Sequence, residues 1–122
     1  MKKIEAFIRH EAFEPIRAEL LDKGFPSLSI IEAKGSGRQK GIVEHYRGAS
    51  EVLYLRPKLR LELVVSDEDV EPAIQVILTH ARSGEIGDGK IFVLPVLDAL
   101  RIRTGERGEG VVAAHDEAAA TA

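Results

Sequence analysis

Three observations predict an α+β fold: a split βαβ arrangement with two helices on one face of a four-stranded antiparallel sheet. The apolar spacing switches between period two and period three to four in the order strand, helix, strand, long irregular segment, strand, helix, strand. Glycines and prolines fall where those segments should begin or end. The length, 122 residues, suits one domain that buries a single core.

Residues 2 to 9 alternate, with Ile4, Ala6 and Ile8 on one side and Lys3, Glu5, Phe7 and Arg9 on the other, which predicts a strand. From Phe13 the apolar positions are Phe13, Ile16, Leu20 and Leu21. They form one stripe of a helix that Pro15 can open and Gly24 can close. Residues 27 to 33 predict a second strand, rich in β-branched and apolar residues. The stretch 34 to 57 has no sustained period and holds four glycines with Arg38, Lys40, Arg47 and Arg56. Loops of that length are binding elements, lids or insertions without a task.

Residues 58 to 65 alternate most clearly, Leu59, Leu61, Leu63 and Val65 facing the core and Lys58, Arg60, Glu62 and Val64 the other way. The acids Asp67, Glu68 and Asp69 open a second helix whose stripe is Val70, Ala73, Ile74, Ile77 and Leu78. Asp69 as N-cap keeps Pro72 in the first turn. Residues 90 to 97 predict the last core strand, and Arg101 and Arg103 share a face if their segment is extended. The tail, 113 to 122, is rich in alanine and is expected to be disordered. With both helices on one face, the bare face of the sheet predicts burial against further copies of the chain.

Composition narrows the chemistry. The net charge is −3 with acids and bases interspersed, so any cationic site is local and a nucleic-acid partner is not expected. Cysteine is absent, which excludes disulfides, thiolate metal sites and cysteine nucleophiles and agrees with a reducing cytoplasm. No apolar run approaches a membrane span of ~18 residues, so no membrane insertion is expected. His10, His45, His80 and His115 lack metal-ligand spacing.

The stretch Ser83-Gly84-Glu85-Ile86-Gly87-Asp88-Gly89-Lys90 concentrates three glycines, an acid and a lysine just ahead of a strand. Glycines let backbone N–H groups form a concave nest for an anion, and Lys90 adds a positive charge. A carboxylate in such a turn repels phosphate, so Asp88 is expected to hold the turn in shape. A plain connector between helix and strand remains an equal reading of these residues alone.

Taken together, Gly35-x-Gly37-Arg38-Gln39-Lys40-Gly41, Tyr46-Arg47-Gly48-Ala49, the glycine turn, and Arg101-x-Arg103-Thr104-Gly105 resemble the PII family of nitrogen-regulatory signalling proteins over residues 1 to about 105. The resemblance implies a PII-like signalling domain over 1–112, with a target-docking T-loop at about 37–56 and the glycine turn at about 82–90. It implies a ferredoxin-like βαββαβ homotrimer that is not an enzyme. Its intersubunit clefts are expected to take ATP or ADP, with 2-oxoglutarate joining Mg-ATP. Gly35, Gly37, Arg38, Gly87, Asp88, Gly89, Lys90, Arg101 and Arg103 are implied on the phosphate side, and Ser29, Glu62 and Val64 near the adenosine. Gln39 is the implied ligand of Mg²⁺. Lys40, Gly41, Lys58 and Gly87 join Gln39 around 2-oxoglutarate. Tyr46, Arg47, Gly48, Ser50 and Glu51 belong to the docking loop, with partners such as an ammonium transporter, a nitrogen-control kinase or an enzyme of nitrogen metabolism. Read without the family, Lys58 and Glu62 could be ordinary exposed strand residues, and Arg101 and Arg103 a solvated pair guarding a sheet edge.

This chain departs from the family pattern in places. Glu51 stands where many members carry a modifiable tyrosine, and Ala49 where others carry a phosphorylated serine, so no modification is expected at either position. Ser36 replaces a bulky apolar residue and Glu85 a frequent lysine, which predicts weaker hold on two anionic ligands. An enzyme using the same cleft to hydrolyse nucleotide is the rival from another class. An RNA-binding ferredoxin-like module is disfavoured by the few aromatics available for stacking.

Overall fold

The computed structural model describes residues 1–25, 27–35 and 56–114. Six elements organise it: β1 (Lys2–Ile8), α1 (Phe13–Asp22), β2 (Ser29–Gly35), β3 (Arg56–Val65), α2 (Val70–Ala81) and β4 (Lys90–Pro95). The strands form one antiparallel sheet in the order β2-β3-β1-β4, the expected ferredoxin-like βαββαβ arrangement. Alternation fixes which side is core. Ile4, Ala6 and Ile8 of β1 and Leu59, Leu61, Leu63 and Val65 of β3 are buried under Ile16 and Leu20 of α1 and Ala73, Val76 and Ile77 of α2. The helices lie on that face only, and the opposite face carries Lys3, Glu5, Phe7, Glu62 and Val64, none of them buried.

Local chemistry explains the ends of α1. Gly24, with φ of 87°, donates its N–H to Leu21 O at 3.0 Å, and Phe25 donates to Leu20 O at 2.8 Å. This is a Schellman closure, and the buried Phe25 supplies the apolar contact that accompanies it. Both helices are entered through a 3-10 turn, His10–Ala12 and Asp67–Asp69 respectively, which the sequence does not announce. Asp69 stands at the α2 boundary as expected, yet its carboxylate makes no cap bond to the helix. It accepts instead from Ser66 Oγ at 2.8 Å.

Several expected boundaries and faces need correcting. β2 runs from Ser29 to Gly35 rather than over 27 to 33, and β3 starts at Arg56, because their antiparallel ladder continues to Gly35↔Arg56 whatever the side-chain period. Leu21 is half-exposed, since the helical step carries it off the stripe set by Ile16 and Leu20. In α2, Val76 replaces Leu78 as the third buried position, with Val70 and Ile74 packed partly against the core. β4 stops at Pro95 and lies at the sheet edge, where only Ile91 is partly covered and Phe92, Val93 and Leu94 are exposed; Leu97 beyond it is 98% exposed. The segment from Arg101 is a tight turn, not a strand. Gly105 N–H bonds Arg101 O at 2.7 Å, Arg101 N–H bonds Glu106 O at 2.8 Å, and Leu100 bridges Arg107. Val111 closes a last 3-10 turn, and Ala114 reaches the core edge with its N–H 3.4 Å from Asp69 Oδ2.

Candidate functional site

The glycine turn is held by its own acid. Asp88 Oδ2 accepts from the backbone N–H groups of Ser83 at 2.8 Å and Gly84 at 2.9 Å, and Oδ1 accepts a short bond from the Ser83 hydroxyl. The Ser83 hydroxyl and then the Ser83 amide hold the Asp88 carboxyl below its ordinary range, against a smaller opposing effect of desolvation. Gly84, Gly87 and Gly89 adopt positive φ of 87°, 102° and 105°. At Gly89 no side chain fits, because a Cβ would lie 1.7 Å from the carbonyl oxygen of Phe7, where β4 begins to pair with β1.

Among the described residues two cations pin the turn to the end of the sheet. Arg9 donates from Nε to Gly87 O at 3.1 Å and from Nη2 to Ile86 O at 2.9 Å, and its Nη2 is also 3.6 Å from Asp88 Oδ1. Lys58 Nζ donates to the same Gly87 oxygen at 2.5 Å. The carbonyls of the turn are thereby directed at the protein's own cations. Sequence reasoning missed Arg9, whose only signal was its place on the polar side of the first strand. Lys90 is exposed and makes no ion pair among the described residues.

At the opposite end of the sheet a cleft of about 960 Å³ gathers Ser29, Glu62, Val64, Arg101 and Arg103. Its floor is formed by Lys3 of β1, the start of β2 at Ser29 and the end of β3 from Glu62 to Val65. One wall is the 101–106 turn, and another is the chain from Gly110 to Ala113, a wall with no motif to signal it. Glu62 lies 3.3 Å from Lys3 Nζ and 2.8 Å from Arg60 Nε, the latter buried and outside hydrogen-bond geometry, and Lys3 also reaches Glu5 at 3.1 Å. Those two carboxylates, Glu5 first, raise the Lys3 pKa. Arg101 Nε lies 3.4 Å from Glu106 Oε2 but is buried and outside hydrogen-bond geometry. Arg103 is exposed, without an ion pair among the described residues.

The expected ligand residues therefore fall into two groups on one copy of the chain. Lys3 pairs with Val64 and Phe7 with Lys90, so the cleft and the glycine turn lie four residues apart along β1, about 13 Å of strand. Gly35 at the end of β2, Lys58, Gly87, Gly89 and Lys90 share the turn end, and Ser29, Glu62, Val64, Arg101 and Arg103 share the cleft. Gly37, Arg38, Gln39, Lys40, Gly41, Tyr46, Arg47, Gly48, Ser50 and Glu51 lie outside the described residues. Among the described residues no group of three acids and histidines could hold a metal ion, and no helix is long and apolar enough to cross a membrane.

The donor set suits a polyanion. One guanidinium without an ion-pair partner, a second with an unsatisfied Nε–H, and an exposed lysine beside a positive-φ turn are what phosphate oxygens require.

Comparison with known proteins identifies the family. The family described as Nitrogen regulatory protein P-II matches residues 1–106. The chain is similar to the Nitrogen regulatory protein P-II of Cereibacter sphaeroides, 48% identical over 112 residues that cover 92% of this chain and all of the relative. It is 50% identical over 108 residues to that of Rhodospirillum rubrum, covering 88% and 96% of the two chains. Another relative, Nitrogen regulatory protein P-II 1 of Methanothermobacter thermautotrophicus, is 45% identical over 112 residues, with 92% and 97% covered. With the βαββαβ sheet, the pinned glycine turn and the two cleft arginines already in place, the match along nearly the whole chain establishes that it belongs to the P-II family of nitrogen regulatory proteins.

Proposed function

We propose that this chain is a non-catalytic effector sensor of the cytoplasm. ATP and ADP compete for a cleft completed between copies of the chain in a homotrimer, 2-oxoglutarate joins ATP with Mg²⁺, and the outcome sets the state of the 37–56 loop. That loop in turn governs a target such as an ammonium transporter, a nitrogen-control kinase or an enzyme of nitrogen metabolism. The observation that carries the reading is the division of the ligand residues into two groups about 13 Å apart along β1. The cleft has room for a nucleoside and supplies Arg101 and Arg103, while the glycine turn and Lys90 sit at the other end of the sheet. A second copy presenting its turn to this cleft joins the halves, and the exposed Phe92, Val93 and Leu94 on the β4 edge give such copies apolar surface to bury.

The residues divide the work by chemistry. Glu62, in ion pairs with Arg60 and Lys3, is an acceptor for the amino and hydroxyl donors of a nucleoside. Arg101, Arg103 and Lys90 neutralise phosphate charge. Mg²⁺, when bound with ATP, supplies the coordination position for 2-oxoglutarate, with Gln39 as its protein ligand. Lys58 is the link to conformation. A carboxylate that draws its ammonium off Gly87 O loosens one of the two cations pinning the glycine turn. The ligand acts by population shift, and coupling is reciprocal, so a target that prefers one loop state tightens the matching ligand.

Isothermal titration tests the reading: ATP with Mg²⁺ first, then 2-oxoglutarate into the ATP-saturated protein, with ADP as comparison. Saturable 2-oxoglutarate heat that requires Mg-ATP is the expected result. Adenylate binding without that heat, the direction in which Ser36 and Glu85 push, leaves a sensor of adenylate or another small anion. ATP turnover that collapses in Lys90→Ala overturns the non-catalytic assignment in favour of a nucleotide hydrolase.

A further inference from the structure

The nucleotide reading leaves Glu106 without a part. It lines the same cleft as Arg101 and Arg103, and a carboxylate there opposes any phosphate that enters. Its place is built into the backbone. The turn is closed by Arg101 N–H to Glu106 O at 2.8 Å and Gly105 N–H to Arg101 O at 2.7 Å, which sets residues 101 and 106 opposite one another. Glu106 N–H also bonds Thr104 Oγ1 at 3.2 Å. Gly110 lies beside the side chain: a Cβ at that position would stand 3.0 Å from Glu106 Oε1. The carboxylate that results lies 3.4 Å from Arg101 Nε without completing a hydrogen bond to it.

We propose that Glu106 is a resident competitor for the anion site of Arg101: it neutralises the guanidinium in the empty cleft and is displaced when a phosphate takes its place. The inference rests on the nucleotide reading of the cleft and adds its regulation. Two features make Glu106 displaceable. Both partners are partly solvated, Arg101 at 38% and Glu106 at 49% exposure, and the pair lacks hydrogen-bond geometry, so it binds weakly. Arg103 has no such partner among the described residues and is open to phosphate from the start. Every polyphosphate that reaches Arg101 therefore gives up part of its binding free energy to expel a charge of its own sign. That keeps the sensor's affinity below what its two arginines could deliver.

The test is a set of titrations with ATP, ADP and adenosine on the wild type, Glu106→Gln, Glu106→Asp and Arg101→Ala, and on Arg101→Ala combined with Glu106→Gln. Thermal unfolding checks that each variant is folded. The expected result is that Glu106→Gln binds ATP and ADP roughly two- to fivefold more tightly, the range of a partly exposed ion pair. Adenosine should be unchanged, Glu106→Asp should stay near wild type, and the gain should vanish when Arg101 is already alanine. The proposal is overturned if Glu106→Gln binds ATP no better than wild type while Arg101→Ala weakens it; the nucleotide reading then stands. It is also overturned if the gain survives without Arg101. Absence of ATP and ADP binding in wild type and Glu106→Gln alike removes the nucleotide reading and this inference with it.

Discussion

Alanine at Gly89 should unfasten the edge of the sheet, and the structure sets the size of the effect. The added Cβ would lie 1.7 Å from Phe7 O and 2.8 Å from Phe7 C, against a normal contact near ~3.5 Å. Both atoms belong to the backbone of β1, so no side-chain rotation relieves the clash. Either the turn moves or the Phe7↔Lys90 pairing that starts β4 is lost. Adopting a φ of 105° costs an L-residue about 1–2 kcal/mol, and each ladder hydrogen bond given up adds about 0.5–1.5 kcal/mol. The expected total is ~3 kcal/mol or more, a large part of the ~5–15 kcal/mol that holds a typical domain folded. Gly84→Ala is the control, because Gly84 also has positive φ, 87°, yet nothing lies within 4 Å of its Cβ position. Only the backbone strain of about 1–2 kcal/mol applies there. Urea unfolding at neutral pH measures both variants. Equal losses at Gly84 and Gly89 would refute the claim that β1 closes off the space at Gly89.

Three further outcomes are expected. Asp88→Asn should lower stability at neutral pH by weakening the bonds to Ser83 and Gly84. Because the folded-state pKa of Asp88 is depressed, its stabilising contribution is complete above the ordinary carboxylate value near ~4 and disappears as pH falls through the folded value. Wild type and variant should therefore converge in urea unfolding below that range. Leu61→Ala removes a fully buried side chain of the central sheet and should cost about 2–5 kcal/mol, seen as a lower urea midpoint at unchanged slope. Arg103→Ala should weaken ATP and ADP about tenfold or more in titration, the worth of a charge-assisted hydrogen bond, and leave adenosine nearly unaffected.

Much of the fold is legible because its two central strands alternate. Leu59, Leu61, Leu63 and Val65 can point only one way, and Ile4, Ala6 and Ile8 match them across the ladder. Where a boundary depends on backbone pairing instead of side-chain period, the sequence is a poorer guide. β2 shifts to end at Gly35, and the residues around Arg101 alternate like a strand but close into a turn that Gly105 makes possible with φ of 74°. β4 reads as a core strand because its apolar run is continuous, yet its edge position leaves that run uncovered within one copy. The candidate site was legible in a different way. Ser29, Glu62 and Val64 carry no chemical signature in an alternating strand, and only the family pattern singles them out. Asp88 could be assigned from elementary electrostatics alone. Arg9, Glu106 and the 110–113 wall belong to no motif and become visible only when the chain is folded.

The strand order β2-β3-β1-β4 also bears on how the chain reaches its folded state. β1 precedes the other strands but sits in the middle of the sheet, and both of its neighbours, Arg56–Val65 and Lys90–Pro95, come later in the chain. A nascent chain that ends before Arg56 thus holds a central strand without its partners, and native pairing has to wait until β3 has emerged. Pairing β1 with β3 closes a loop that contains α1, β2 and the whole of 36–55. Loop-closure entropy grows only logarithmically, so doubling such a loop costs about 0.6 kcal/mol. Folding speed is set by these distant contacts, and the length of the connecting segment is left nearly free to vary without loss of the sheet that carries it.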